Sequence, residues 1–275
     1  MNFSLKILGT ASAMPISDRN PSAQVLSVHG RLFLIDCAEG TQKQFRKAKL
    51  SFVKIEAVFI SHIHGDHVFG IFGMLSTMAM YGRTQELHIY APAAFGGILT
   101  FFKSYFGEGV NFEIIHHPLK MKEPEVVHIS KHVTVSAFPL DHKIDCYGFR
   151  FDEKVPVRRP GNVPFIPSSY AYCSDTRYFP RLSEWVKGVD VLYHEATYIE
   201  EYSDKAAQRF HSTAAQAAAC ARDAGVGRLI IGHYSSRIHD IEVFRKEAAA
   251  IFPRTIAAQD GDTIEFDSKY SQNQS

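Results

Sequence analysis

Six residues constrain this chain more than any others: His62-Ile63-His64-Gly65-Asp66-His67, four metal-competent side chains placed just after the apolar run Ala57 to Ile60. Side chains of an extended segment alternate with period two, so His62 and His64 project to one side and can chelate one ion. Gly65 permits a sharp backbone turn, which aims Asp66 and His67 at a neighbouring point. Imidazole and carboxylate ligands suit zinc and similar borderline cations, and a catalytic centre keeps one position open for water. The stretch reads as half of a two-metal hydrolytic centre, so the fold must bring the other half to it. Chance histidines in a polar loop are the competing reading, which this spacing disfavours.

The 275 residues are enough for one layered α/β domain with a large core. We expect a single domain over residues 1–267 and a polar tail at 268–275. No stretch approaches the roughly 18 consecutive apolar residues of a membrane span. The start, Met1 to Thr10, has neither a basic leader region nor a cleavage site, so a soluble cytoplasmic protein with no membrane partner is expected. Cys37, Cys146, Cys173 and Cys220 form no C-x-x-C pair, which argues against disulfides or a cysteine zinc site. A net charge of +1 gives no whole-molecule support for nucleic-acid binding. Two local clusters remain, Arg46-Lys47-Ala48-Lys49 and Lys154 with Arg158 and Arg159; solvated surface is the ordinary reading of both.

Short β-rich runs open the chain at residues 5–8, 23–28 and 31–36. The run at 57–60 delivers the chain into the histidine motif, and residues 68–81 read as a helix whose positive end would face the site. Strands are expected at 87–91, 126–129, 133–138, 146–151, 171–173, 189–193 and 229–231, and helices at 93–105, 213–223 and 238–250. Residues 152–169, with Pro156, Pro160, Pro164 and Pro167, are expected to be a loop.

Three later apolar runs also end in metal-competent residues: 133–140 before Asp141-His142, 170–174 before Asp175, and 228–232 before His233. Singly, each reads as a cap or a satisfied polar residue. Together with the first motif they supply enough ligands for two ions, with Asp175 as a bridge. The segment His194-Glu195 fails the zinc-protease pattern H-E-x-x-H, because Tyr198 occupies the second histidine position.

These residues lie in motifs that resemble the metallo-β-lactamase superfamily and, within it, the ribonuclease Z family, whose members trim the 3′ ends of tRNA precursors. The likeness rests on Phe33-Leu34-Ile35-Asp36-Cys37-Ala38-Glu39-Gly40-Thr41-Gln42, Ser61 to His67, His142, Cys173-Ser174-Asp175-Thr176-Arg177, His194-Glu195-Ala196-Thr197, His211-Ser212-Thr213 and Gly232-His233-Tyr234-Ser235-Ser236-Arg237. It implies an α/β fold of four layers, an αββα sandwich. It also implies two zinc ions, with manganese or iron as substitutes: His62, His64 and His142 at one, Asp66, His67 and His233 at the other, Asp175 bridging. Two such cations lower the pKa of a shared water from 15.7 toward about 7. The implied catalytic residues are Asp66, which would orient the attacking hydroxide or take its proton, and His211, held by Glu195, which would protonate the departing 3′ oxygen.

Ser235 and Arg237 could bind phosphate, a planar guanidinium being suited to that anion; a surface ion pair is the alternative. Arg19 and Asn20 resemble the family's substrate-facing loop. The resemblance further implies an RNA substrate, precursor tRNA, and a homodimer; the apolar stretch 71–81 is a candidate interface, although a core helix is its ordinary reading, and no nucleotide cofactor is expected. The family's long basic arm is missing, since only 22 residues separate Gly148 from Ala171 and four of them are proline. Losing a clamp that contacts several phosphates costs orders of magnitude in affinity at physiological salt. An arm-less phosphodiesterase acting on small or cyclic phosphodiesters is therefore the second reading. Thioester, lactone or β-lactam hydrolysis leaves the Glu195 and His211 pair without a purpose, and a non-catalytic RNA-binding scaffold leaves seven metal ligands without one.

Overall fold

In the strand Ile55–Phe59, Ala57 and Phe59 enter one hydrophobic cluster while Ile55 and Val58 enter another. A strand covered on both faces belongs inside a layered sheet. The computed structural model, which describes residues 3–155 and 165–266, has two such sheets face to face.

The first sheet runs β14-β1-β2-β3-β4-β5-β6, with β1 Phe3–Gly9, β2 Ala23–Val28, β3 Arg31–Ile35, β4 Ile55–Phe59, β5 Leu87–Pro92, β6 Ile114–Leu119 and β14 Thr263–Glu265. The second runs β13-β12-β11-β10-β9-β8-β7, with β7 Glu125–Ile129, β8 Val133–Pro139, β9 Tyr147–Glu153, β10 Ser169–Cys173, β11 Val191–Glu195, β12 Arg228–Gly232 and β13 Thr255–Ala257. Phe33, Phe59, Val135, Phe149 and Tyr193 fill the space between them.

Helices cover the outer faces. α1 Thr41–Lys47, α3 Ile71–Met80 and α4 Phe95–Phe106 pack their buried residues into the cluster that coats the first sheet. α5 Leu182–Trp185, α7 Ala214–Ala224 and α8 Glu242–Ile251 coat the second. Two further short helices, α2 Gly65–Val68 and α6 Ser203–Arg209, lie near the sheet ends. The expected αββα sandwich is the architecture found. α7 begins at its capping box, where Thr213 accepts from the Gln216 amide and Gln216 reaches back.

β3 to β6 and β10 to β13 pair in parallel, and β8 points the same way as β10 because each is antiparallel to β9. Parallel strands open their carboxyl ends at one edge, where α/β proteins place ligand sites. The two sheets meet at that edge through a bond from the Tyr147 amide to the Ser61 carbonyl, 3.0 Å.

The helix expected over residues 68–81 is interrupted. Only its first residue, Val68, falls in α2, and α3 starts only after Gly70, whose amide bonds the Cys37 carbonyl at 2.8 Å. A Cβ on Gly70 would sit 1.9 Å from the Ala38 carbonyl oxygen, so this close approach of two backbones requires glycine. The strand β6, with Pro118 near its end, stands at a sheet edge, where a missing amide costs no ladder bond. β9 and β10 extend into the segment expected to be a loop, leaving residues 154–168 between them. Arg158, Arg159, three of the four prolines and the tail at 268–275 lie outside the described residues. Lys154 spends its ammonium on the Ser130 carbonyl at 3.0 Å.

Candidate metal centre

β4 leads into Ser61 and His62; His64 is extended at the head of α2, and Asp66 and His67 ride on α2 itself. From the second sheet, β8 leads to His142, β10 to Asp175, β11 into Glu195 and β12 to His233. The ligating atoms of His62, His64, His142 and Asp175 lie within 4.8 Å of one another, as do those of Asp66, His67, Asp175 and His233. Asp175 belongs to both groups. Its Oδ2 is 3.6 Å from His62 Nε2, and its Oδ1 is 3.4 Å from His67 Nε2 and 3.2 Å from His233 Nε2.

These separations fit a cation. Atoms sharing a tetrahedral ion at about 2.1 Å stand roughly 3.4 Å apart, longer than a hydrogen bond. The Nε2 atoms of His62, His67 and His233 and Oδ1 of Asp175 are buried without a hydrogen-bond partner, an uncommon state in folded proteins for which a shared cation would account. Burial opposes charge on Asp175, but the imidazoles of His233, His67 and His211 hold its carboxyl well below the usual carboxylate range.

The other ring nitrogens of His62, His67, His142 and His233 are engaged, which fixes how each of these imidazoles presents itself. His67 Nδ1 donates to Asp36 Oδ2 at 2.8 Å. Asp36 is fully buried and also accepts from the Ser61 amide, the Ser61 hydroxyl and the Tyr172 hydroxyl at 2.7, 2.8 and 2.7 Å. Since Ser61 Oγ donates to Asp36, it accepts from His62 Nδ1 at 3.0 Å. His142 Nδ1 donates to the Phe210 carbonyl at 3.0 Å, leaving its Nε2 3.3 Å from His64 Nδ1. Asp36, Phe210 and His233 all have positive φ, at 53°, 60° and 63°, uncommon for residues with side chains and concentrated here at the centre.

Glu195 is buried and both its oxygens are committed. Oε1 accepts from the amides of Thr176 and Ser212 and from His211 Nδ1 at 3.0 Å, and Oε2 accepts from the Thr197 amide and hydroxyl. Although Glu195, His211 and His233 are also close enough to share an ion, this saturation makes Glu195 an orienting group. Burial opposes charge on His211, but Glu195 and then Asp175 overcome it and raise its pKa to about 9. The Thr197 hydroxyl donates to Glu195 and therefore accepts from His233 Nδ1 at 2.8 Å.

Both ligand groups open onto a cavity of about 670 Å³, lined also by His211, Ser235, Arg237 and three cations, Lys143, Lys205 and Arg209. Those three were not singled out from the sequence, because nothing in their spacing marks them. Arg19 and Asn20 do not line it. Arg19 is buried over the Tyr234 ring with a long contact to the Ile238 carbonyl, and Asn20 is tied through its amide and side chain to Asp260 at 2.7 and 2.8 Å.

Residues 31–234 match the family described as Beta-lactamase superfamily domain, which defines the class of this protein. Curated relatives extend the match along most of the chain. Ribonuclease Z of Bacteroides fragilis is 39% identical, covering 94% of this chain and 97% of that protein. Ribonuclease Z of Porphyromonas gingivalis is 38% identical with the same coverage. The crystal structure of human tRNase Z, short form, superposes with a TM-score of 0.80 at 27% identity, covering 95% and 98% of the two chains. The chain belongs to the ribonuclease Z family.

Proposed function

We propose that the protein is a two-metal phosphodiesterase, an endoribonuclease that removes the 3′ trailer from tRNA precursors, carried by one domain spanning residues 1–267. The observation that carries this reading is the His211 imidazole: oriented by buried Glu195 and facing the cavity onto which both cation groups open. A separate acid is what a poor leaving group such as a ribose 3′ oxygen requires.

The donor set suits two zinc ions, with manganese or iron as substitutes. Such cations, when bound, lower the pKa of water from 15.7 toward about 7 and neutralise charge on phosphate. The chain's own residues do the rest. Asp66, 3.6 Å from His67 Nε2 and 3.5 Å from His233 Nε2, orients the attacking water and takes its proton. His211, whose pKa burial opposes but the neighbouring Glu195 carboxylate raises, gives its Nε2 proton to the departing 3′ oxygen. Ser235 and Arg237 hold nonbridging phosphate oxygens, and Lys143, Lys205 and Arg209 attract the flanking phosphates. Arg19 and Asn20 serve binding indirectly, by anchoring the loop that places Ser12 and Ala13 on the cavity wall.

The short connection of residues 154–168 favours a second reading, small or cyclic phosphodiesters as substrates. Incubation with a tRNA precursor and with bis(p-nitrophenyl) phosphate decides between them: site-specific 3′ cleavage supports the first, and turnover of the small ester alone overturns it. We place the working form as a cytoplasmic homodimer with no nucleotide cofactor. Phe101, Tyr105 and Phe106 of α4, each at least half exposed, make with Phe72 an aromatic surface suited to a second copy. No helix among the described residues is long and apolar enough to cross a membrane.

A further inference from the structure

Phe69 comes directly after α2 and lines the metal cavity beside His64, Gly65 and Asp66, yet it is 72% exposed. Among the described residues it packs against no other aromatic ring, unlike the exposed aromatics of α4, which touch one another. Its position is nonetheless fixed. The Phe69 amide bonds the Gly65 carbonyl at 3.0 Å, and the next residue is the glycine pinned against Ala38. A Cβ on Gly65 would fall 2.2 to 2.8 Å from three carbons of the Phe69 ring, so the ring lies against the backbone of the ligand loop itself. Much of the remaining cavity wall carries cations and hydroxyls that suit phosphate; its other aromatic ring, Tyr198, is half-buried and tilted 6.2 Å from the His211 ring, so Phe69 is the more exposed flat apolar face. A single-stranded nucleotide whose phosphate reached the two ligand groups would need such a face for its base, and aromatic rings hold bases by stacking irrespective of sequence.

We propose that Phe69 is the stacking platform for a nucleobase flanking the scissile phosphate, an inference that rests on the RNA-cleaving reading above. The residue positions substrate and takes no part in proton transfer.

The test is a cycle between Phe69→Ala and an RNA carrying an abasic ribose on one or the other side of the cleaved bond, using the metal-loaded enzyme. Phe69→Ala is expected to raise KM by about 5- to 150-fold, the range corresponding to loss of one stacked base, with kcat within about twofold. Phe69→Trp restores the wild-type KM. At one flanking position the abasic RNA costs the wild type the same factor and costs Phe69→Ala nothing more, and 2-aminopurine there dims on binding to the wild type and stays bright with Phe69→Ala. Independent, multiplying effects of the two changes, a wild-type KM in Phe69→Ala, or a defect that accompanies loss of a dimer in sedimentation overturns the proposal. Failure of the wild type to cleave intact RNA overturns the functional reading, and this inference with it.

Discussion

The Thr197 hydroxyl stands between Glu195 and His233, donating to the carboxylate at 2.8 Å and accepting from the imidazole at 2.8 Å. One hydroxyl thereby ties the carboxylate that orients His211 to a member of the candidate cation group. Thr197→Val preserves shape and removes both bonds. We expect cation affinity to fall about 10- to 100-fold, the usual cost of losing a partner behind a metal-binding histidine. Isothermal titration with zinc after chelation reads this directly, and unchanged affinity would refute it.

His211→Ala removes the proposed acid while leaving every member of the two candidate cation groups in place. Turnover of RNA is expected to drop about 10²- to 10⁴-fold with two cations still bound per chain by atomic absorption. Loss of cation together with activity would make His211 a ligand.

Asp36 takes four hydrogen bonds in the core and orients His67. Asp36→Asn tolerates the left-handed backbone there but sets an amide against donors. Zinc affinity should fall about 10- to 100-fold, and the melting temperature of the metal-free chain should fall as well. A stable variant with normal affinity would assign the network no role.

Away from the centre, the hydrogen bond from His128 holds Glu56 below its ordinary value of 4.5, against the opposing effect of burial. A carboxyl depressed in the folded state contributes stability above its unfolded pKa and loses it as pH falls through the folded value. The melting temperature of the wild type minus that of Glu56→Gln should be constant above about pH 5 and shrink below 4.5. A difference that grows on acidification contradicts the assignment.

Much of the centre was readable because its ligands sit where apolar runs stop: His62 just past β4, Asp175 past β10 and His233 past β12 are each among the first polar residues after a buried strand. Their supporting partners carry no such mark. The carbonyl that orients His142 is a backbone atom of Phe210, 68 positions away, and Lys143, Lys205 and Arg209 share a cavity only because the sheets converge. The same holds for the fold. Periodicity predicts one helix across 68–81, and the break at Gly70, whose amide bonds the distant Cys37 carbonyl, is something no local pattern reveals. β6 hides behind two histidines and a proline, and β13 and β14 are three residues each.

The two ligand groups draw on both sheets: His62, His64, Asp66 and His67 come from the first, His142, Asp175 and His233 from the second. A cation held there is a clasp across the open lip of the sandwich, and the halves cannot part while it is bound. By mass action each tenfold rise in free cation above its dissociation constant adds about 1.4 kcal/mol to the cost of unfolding. The lifetime of this protein is thus expected to track cellular metal supply, so that starvation for the ion would deplete the enzyme as well as idle it.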